Sequence, residues 1–394
     1  MPNDNAATDD DTCETSVHRR HFLTLTGGVL AFASVRSHPA AGQPLDLQPP
    51  LRIRLFSGMD IVRLEAAGIT VDAASGTMTA AGGTQALGSQ VVELSANPAV
   101  AVTALTRDGT TLARRYPGAV YVQLRADALQ VVNLVDLETY VASVLSSEVS
   151  PNWPTESLRA QAIVVRTYAT HARLAARVRD YDLSDDTSAQ VYRGVDALAP
   201  SLLGAADDTR GQIVSAAGVP AEVFYSSSCG GHTASSSELS GLPAPSYLAG
   251  VWDLDPSGRA YCANAPYFRW KNSVSAEAMS RIVGVPADQL NGIAVAERWP
   301  DGRVRTVSFS GAGTTTTMDG RTFYSRALAQ LGYKVIPSAL FEVSRDGASF
   351  DFVGHGVGHG VGMCQWGAHG RADAGMNATQ ILGAYFPGTT IVRG

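Results

Sequence analysis

The sequence predicts an α+β fold in which a β-rich N-terminal region, residues 44–125, leads into a mixed α+β core, residues 126–394, that carries a cleft. Three observations predict it. Apolar residues alternate in short runs up to about Arg125, their period turns helical after Asp136, and three chemically rich motifs lie far apart in the core, as the parts of a folded cleft do. With 45% apolar and 17% charged residues, the chain can bury a substantial core.

Residues 1–43 read as an export signal. A polar stretch leads to His18-Arg19-Arg20-His21-Phe22-Leu23, an apolar run extends to Val35, and Pro39-Ala40-Ala41 offers small residues for cleavage. Paired arginines before Phe-Leu match a twin-arginine signal, and the apolar run is shorter than the roughly 20 residues of a membrane span. The expected destination is the periplasm or cell envelope. There disulfides persist. With Cys13 removed, Cys229, Cys262 and Cys364 remain, and Cys229 with Cys262, both beside turn-forming residues, is the expected pair. No Cys-x-x-Cys spacing is present, so a cysteine-built metal site is not expected. A net charge of −6 argues against nucleic acid as partner and is compatible with a sugar polymer.

From Leu51-Ile53-Leu55 through Val120-Val122-Leu124, period-two apolar runs separated by Gly, Asp and Asn predict strands. Asp136 can cap a helix with apolar positions at Leu137, Tyr140, Val141, Val144 and Leu145, ending near Glu148. Ser150-Pro151-Asn152-Trp153-Pro154 breaks it, Pro154 is placed as the first residue of the next helix, and Ser157 to about Arg179 reads as a long helix. Further helices are expected near 197–207, 276–282 and 320–329, and strands near 212–215, 221–226, 292–296 and 304–308. The stretch Ala234–Pro245, rich in Ser, Gly and Pro, reads as a surface loop.

Chemistry concentrates in three places. The first is Glu148-Val149-Ser150-Pro151-Asn152-Trp153-Pro154 with Leu158-Arg159-Ala160-Gln161-Ala162 and Arg166-Thr167-Tyr168-Ala169; the second is Phe224-Tyr225-Ser226-Ser227-Ser228-Cys229-Gly230-Gly231-His232-Thr233. The third runs Gly354-His355-Gly356-Val357-Gly358-His359-Gly360-Val361-Gly362-Met363-Cys364-Gln365-Trp366-Gly367-Ala368. His355 and His359 are four apart, but the glycines around them argue for a loop, and no H-E-x-x-H helix supports a metallopeptidase. Glu138 and Glu156 each fall in a predicted first helical turn, where the helix dipole already explains an acidic residue.

At these motifs the sequence resembles the SpoIID/LytB family, from about Val131 to Thr390. The family shares a Glu-x-x-x-x-Trp-Pro block with Arg-Thr-Tyr-Ala, a Ser-x-Cys-Gly-Gly-x-Thr turn and a Gly-His-Gly-Val-Gly-x-x-Gln-x-Gly-Ala loop. The resemblance implies a lytic transglycosylase acting on peptide-stripped peptidoglycan glycan strands, with Glu148 as catalytic acid/base and Arg166 also required. A guanidinium beside Glu148 would favour the carboxylate, so Arg166 is expected to bind substrate or developing negative charge instead. Tyr168, Ser227, His232, His359 and Gln365 are the expected substrate contacts, and Trp153, Tyr192 and Trp366 could stack on sugar rings or fill the core. Some members bind zinc just ahead of the segment matching Gln190-Val191-Tyr192. Here Leu183–Gln190 has neither His nor Cys, so no metal or other cofactor is expected. The alternative is a non-catalytic, glycan-binding enhancer of a cell-wall amidase, as the LytB-type members are described.

Overall fold

A computed structural model of the protein describes residues 50–176, 180–311 and 313–394. The export signal expected at 1–43 lies outside these residues. The alternating runs do form strands: β1 (Leu51–Leu55), β2 (Ile61–Ala66), β3 (Ile69–Asp72), β4 (Thr77–Ala80), β5 (Gly83–Ala86), β6 (Val91–Thr106), β7 (Thr111–Arg125), β8 (Ala128–Val135) and β9 (Leu183–Ser184). They make one sheet in the order β5-β4-β3-β2-β6-β7-β8-β1-β9, antiparallel except for the β1–β9 pair. In β8 every second residue is buried, the pattern that one face against a core imposes. The boundary drawn at residue 125 falls inside this sheet: β7 continues into β8 with Gln123 opposite Gln130. The N-terminal strands therefore share their core with residues beyond that boundary, Leu137 and Leu158 among them.

Helix α1 (Leu137–Glu148) starts where Asp136 accepts a hydrogen bond from the Thr139 N–H at 2.9 Å. Helix α2 (Thr155–Ala175) starts one residue later than expected, with Pro154 extended at its cap. Leu158, Ala162, Val165 and Ala169 on α2 join the core under the sheet, while Ala160, Ile163 and Val164 join a second core. A helix buried on both sides is a fixed axis, and the site is built around it. The single-turn α4 (Ser237–Ser240) interrupts the expected surface loop, and α3 (Pro200–Asp208) completes the first layer.

The second core gathers α7 (Gln365–Asp373), α8 (Ala378–Tyr385), β10 (Gln212–Ala216), β11 (Val219–Pro220), β12 (Tyr225–Ser226), β19 (Met363–Cys364) and β20 (Thr390–Arg393). A third core belongs to the insertion between motifs two and three. There β13 (Arg269–Ser275) pairs with β18 (Ser349–His355), which pairs with β17 (Phe341–Asp346). Beside them lie β14 (Leu290–Arg298), β15 (Val304–Gly311) and β16 (Thr314–Asp319), with α5 (Ala276–Val283) and α6 (Gly320–Leu331) packed on this face.

Candidate functional site

Glu148 is the last residue of α1, half-buried, with its Oε1 accepting the Val191 N–H at 3.3 Å. Burial pushes its carboxyl above the usual range, against the opposing pull of the Val191 N–H, the nearby Tyr225 and Gln365 side chains and the Arg193 charge. The C-terminal end of a helix, negative by its dipole, acts in the same direction as burial.

Tyr225 and Gln365 arrive from the other two motifs. β12 and β19 pair in parallel, Tyr225 opposite Met363 and Ser226 opposite Cys364, and α7 begins at the next residue, Gln365. The register requires glycine at 362. Its φ is +75°, and a Cβ there would lie 2.1 Å from the Phe224 carbonyl oxygen. Behind Glu148, the Tyr140 hydroxyl donates to Gln190 Oε1 at 3.1 Å and Gln190 Nε2 donates to the Tyr225 hydroxyl at 3.4 Å. Gln365 is 5% exposed, and its Nε2 is buried without a hydrogen-bond partner among the described residues. An unpaired amide N–H beside a protonatable carboxyl is a donor waiting for an acceptor.

Asp185 and Glu156, two other carboxylates of this region, are held by partners of their own. Asp185, which also faces Arg193, accepts the Phe56 and Ser57 N–H groups, each at 2.9 Å, and Arg114 at 3.3 Å. Glu156 binds Arg159 and the Ala378 N–H. Glu138 and Glu156, both expected to be structural, are so through ion pairs rather than the helix dipole alone.

Arg166 is a correction. Its side chain is wholly buried and forms a forked pair with Glu138, Nε to Oε1 at 2.9 Å and Nη2 to Oε2 at 2.5 Å, while Nη1 donates to the Gln212 carbonyl and Nη2 to that of Ala206. Glu138 is ten residues from Glu148 on α1, about 15 Å at helical rise. Arg166 therefore ties α1, α2 and α3 together, with its guanidinium held by Glu138 and backbone carbonyls and none of it exposed. The chemical reason is the strength of a bidentate guanidinium–carboxylate pair, which Glu138 supplies and which its place in a first helical turn conceals in the sequence.

The five expected contacts divide. Ser227 lies with Gln365 at the site, its carbonyl accepting the Trp366 N–H at 3.1 Å. Tyr168 is half-buried against both cores and close enough to Tyr140 to act on it electrostatically. His359 is engaged by the backbone: Nδ1 accepts the Val361 N–H at 3.0 Å, the ring also bonds to the Tyr225 backbone, and burial lowers its pKa to about 4. A neutral, backbone-bound ring positions the strand of Tyr225. His232 lies elsewhere. It stacks edge-on to Trp252 at 4.5 Å and, with His355, Phe268 and Arg259, lines a cleft of about 750 Å³ that does not include Glu148.

Of the aromatics, Tyr192 is wholly buried, while Trp153 and Trp366 meet at 5.1 Å with His369 packed against both. His369 lies just past the third motif, and Tyr225, though inside the second, is not among the expected contacts. A signal exists for each: His369 is one turn beyond Gln365 on α7, and Tyr225 lies two residues before Ser227.

The structure brings Cys229 and Cys262 together, Sγ to Sγ 3.7 Å, but as free thiols, and Cys364 and Asp253 join them. The expected simple pair is thus part of a four-residue cluster, assembled from segments too distant in sequence for spacing to reveal.

The chain matches the family Stage II sporulation protein (SpoIID) over residues 125–215, the segment holding Glu148 and Arg166, and a domain of unknown function, DUF8618, over residues 258–362. It is similar to an uncharacterized protein of Brachyspira hyodysenteriae, 34% identical over 293 residues covering 73% of this chain and 75% of the relative. It is also similar to stage II sporulation protein D of Bacillus amyloliquefaciens, 28% identical over 66% of this chain and 75% of that protein. A third relative is the protein named Amidase enhancer of Bacillus subtilis, 27% identical over 63% of this chain but only 39% of that longer protein. With the three motifs joined at Glu148, these matches show that the chain belongs to the SpoIID/LytB family and has a cell-wall-related role.

Proposed function

We propose that this protein is exported and cleaves the glycan strands of peptidoglycan, after their stem peptides are removed, as a lytic transglycosylase in which Glu148 serves in turn as acid and base. The observation that carries the reading is the Glu148 carboxyl, whose pKa burial raises, beside the Gln365 side chain, whose Nε2 has no hydrogen-bond partner among the described residues. Ordinary glycosidases use two carboxylates, one to protonate the leaving oxygen and one to attack or to activate water. A lytic transglycosylase needs one.

Protonated Glu148 gives its proton to the glycosidic oxygen, and the bond to muramic C1 breaks with positive charge spread over C1 and the ring oxygen. The Glu148 carboxylate left behind then takes the proton of the same sugar's 6-hydroxyl as that oxygen closes on C1. The products are a free 4-hydroxyl end and a 1,6-anhydro end, with no water consumed. Intramolecular attack supplies the effective concentration that an activated water otherwise provides. In this reading Gln365 Nε2 holds a substrate oxygen, while Tyr225 and the Val191 N–H orient the carboxyl.

The likeness to a protein named Amidase enhancer favours a second reading, glycan binding without cleavage that stimulates a cell-wall amidase. Mass spectrometry of products from intact and peptide-free strands, with wild type and Glu148→Gln, separates the two. The lytic reading predicts anhydro-muramic ends from wild type only, and from peptide-free strands. Strands bound but left uncut, with stimulation of an added amidase, would replace it with the enhancer reading.

A further inference from the structure

Cys229 lies just past β12, Cys262 sits in the tight turn Tyr261–Asn264, Cys364 caps α7, and Asp253 lies in the loop between the first two. All four are 0% exposed, and one ligand atom from each falls within 4.8 Å of all the others. We propose that these four residues bind one zinc ion, three thiolates and a carboxylate completing a closed tetrahedral site. The inference is independent of the catalytic reading of Glu148.

The geometry fits that ion. Zinc–sulfur bonds of about 2.3 Å at tetrahedral angles set sulfur–sulfur edges of about 3.8 Å. The Cys229–Cys262 separation is 3.7 Å. A disulfide would use two thiols and leave the third, with a buried carboxylate, packed against it without a task. Soft thiolates select zinc over the hard cations that oxygen sites hold.

The surroundings are those of a metal-binding set. Asp253 Oδ1 accepts the Tyr385 hydroxyl at 2.8 Å and the Arg371 guanidinium at 3.0 and 3.1 Å. That leaves Oδ2 turned to the sulfurs, 3.3 Å from Cys229 Sγ. Outer partners of this kind fix a ligand's orientation. The sulfurs in turn receive backbone N–H groups, which suit thiolates: Cys229 and Gly367 to Cys364 Sγ, both at 3.2 Å, and Gly231 to Cys229 Sγ at 3.4 Å. Arg371 and the N-terminus of α7 offset the negative charge that remains after a divalent ion binds.

Such an ion would join motif two to motif three immediately beside Gln365 and three residues from Ser226. It holds the β12–β19 pair that carries Tyr225 to Glu148. Closed, buried ligation of this kind is structural.

Metal analysis of the full chain, purified without chelator from zinc-supplemented cells, should give one zinc per chain that survives dialysis. Thiol titration should then find Cys229, Cys262 and Cys364 unreactive until the metal is stripped under denaturing conditions, when all three react. Cobalt(II) added to stripped and refolded protein should produce sulfur-to-cobalt charge transfer and the strong visible bands of tetrahedral cobalt, both displaced by zinc. Tyr385→Phe, which removes only a partner of Asp253, should weaken zinc about 10- to 100-fold with the three thiols intact. An intact mass lower by two hydrogens, with Cys229 and Cys262 cross-linked and no bound metal, would overturn the proposal. Reduced, folded protein that gives no cobalt–sulfur absorption would overturn it equally.

Discussion

Glu148 retains its proton at a higher pH than a solvated glutamate, since burial opposes its charge more strongly than its neighbours support it. The acid form starts the proposed reaction, so kcat/KM should fall as pH rises through this raised pKa. Gln365 favours the carboxylate; replacing it by Met should move that alkaline limb to still higher pH while lowering the rate by about tenfold to a hundredfold. A limb that moves to lower pH would contradict this influence of Gln365 on Glu148. Glu238 behaves similarly away from the site. Burial beside Asp301 pushes its pKa up to about 7, against an ordinary 4.5. Between those values the unfolded chain binds fewer protons than the folded one, so this group's contribution to stability is lost as pH rises through about 7. Glu238→Gln should flatten the unfolding midpoint over that window and stabilise at pH 8 by about 1–3 kcal/mol. A midpoint that keeps its wild-type pH dependence would exclude Glu238 as the source.

At the scale of elements, the two helices after the first sheet are legible in the sequence because their signals are local. Asp136 caps α1, the two prolines around Trp153 break the chain, and the apolar spacing is helical. The helix–loop–strand units of the second half are only partly legible. The β17–β18 hairpin escapes detection because a charged exposed face breaks its alternation, and α7 because glycines dilute its helical signal. The role of Arg166 is hidden for a related reason: sequence spacing cannot show that α1 places Glu138 against it. Arg166→Ala should strip a buried charge pair and cost about 3–5 kcal/mol in urea unfolding. Lost activity should follow the lost folded fraction. A folded Arg166→Ala protein that binds glycan but, unlike wild type, cannot cut it would return Arg166 to the proposed chemistry. Gly362 is the joint between motifs two and three. Gly362→Ala should cost at least about 2 kcal/mol and disturb Gln365, whereas Gly388→Ala, at similar φ but with open space around it, should cost less.

Across the whole molecule, the α+β class and the meeting of the three motifs are readable from the sequence, and the layout around them is not. The first region is one sheet with β8 and β9, so its apparent boundary at residue 125 reflects only where the alternation pauses. Chain segments more than 130 residues apart supply Cys229 and Cys364 to one buried cluster, so no spacing rule could find it. In the proposed reaction the three-motif assembly sets the buried Glu148 carboxyl to do both acid and base work. That is the central claim, and isotope labelling tests it most directly. Wild-type protein and Glu148→Gln are incubated with peptide-free strands in ¹⁸O water, and the new muramic ends are weighed. The account predicts anhydro ends without ¹⁸O from wild type and no new ends from Glu148→Gln. Labelled, hydrated reducing ends, or cleavage that survives in Glu148→Gln, would contradict it.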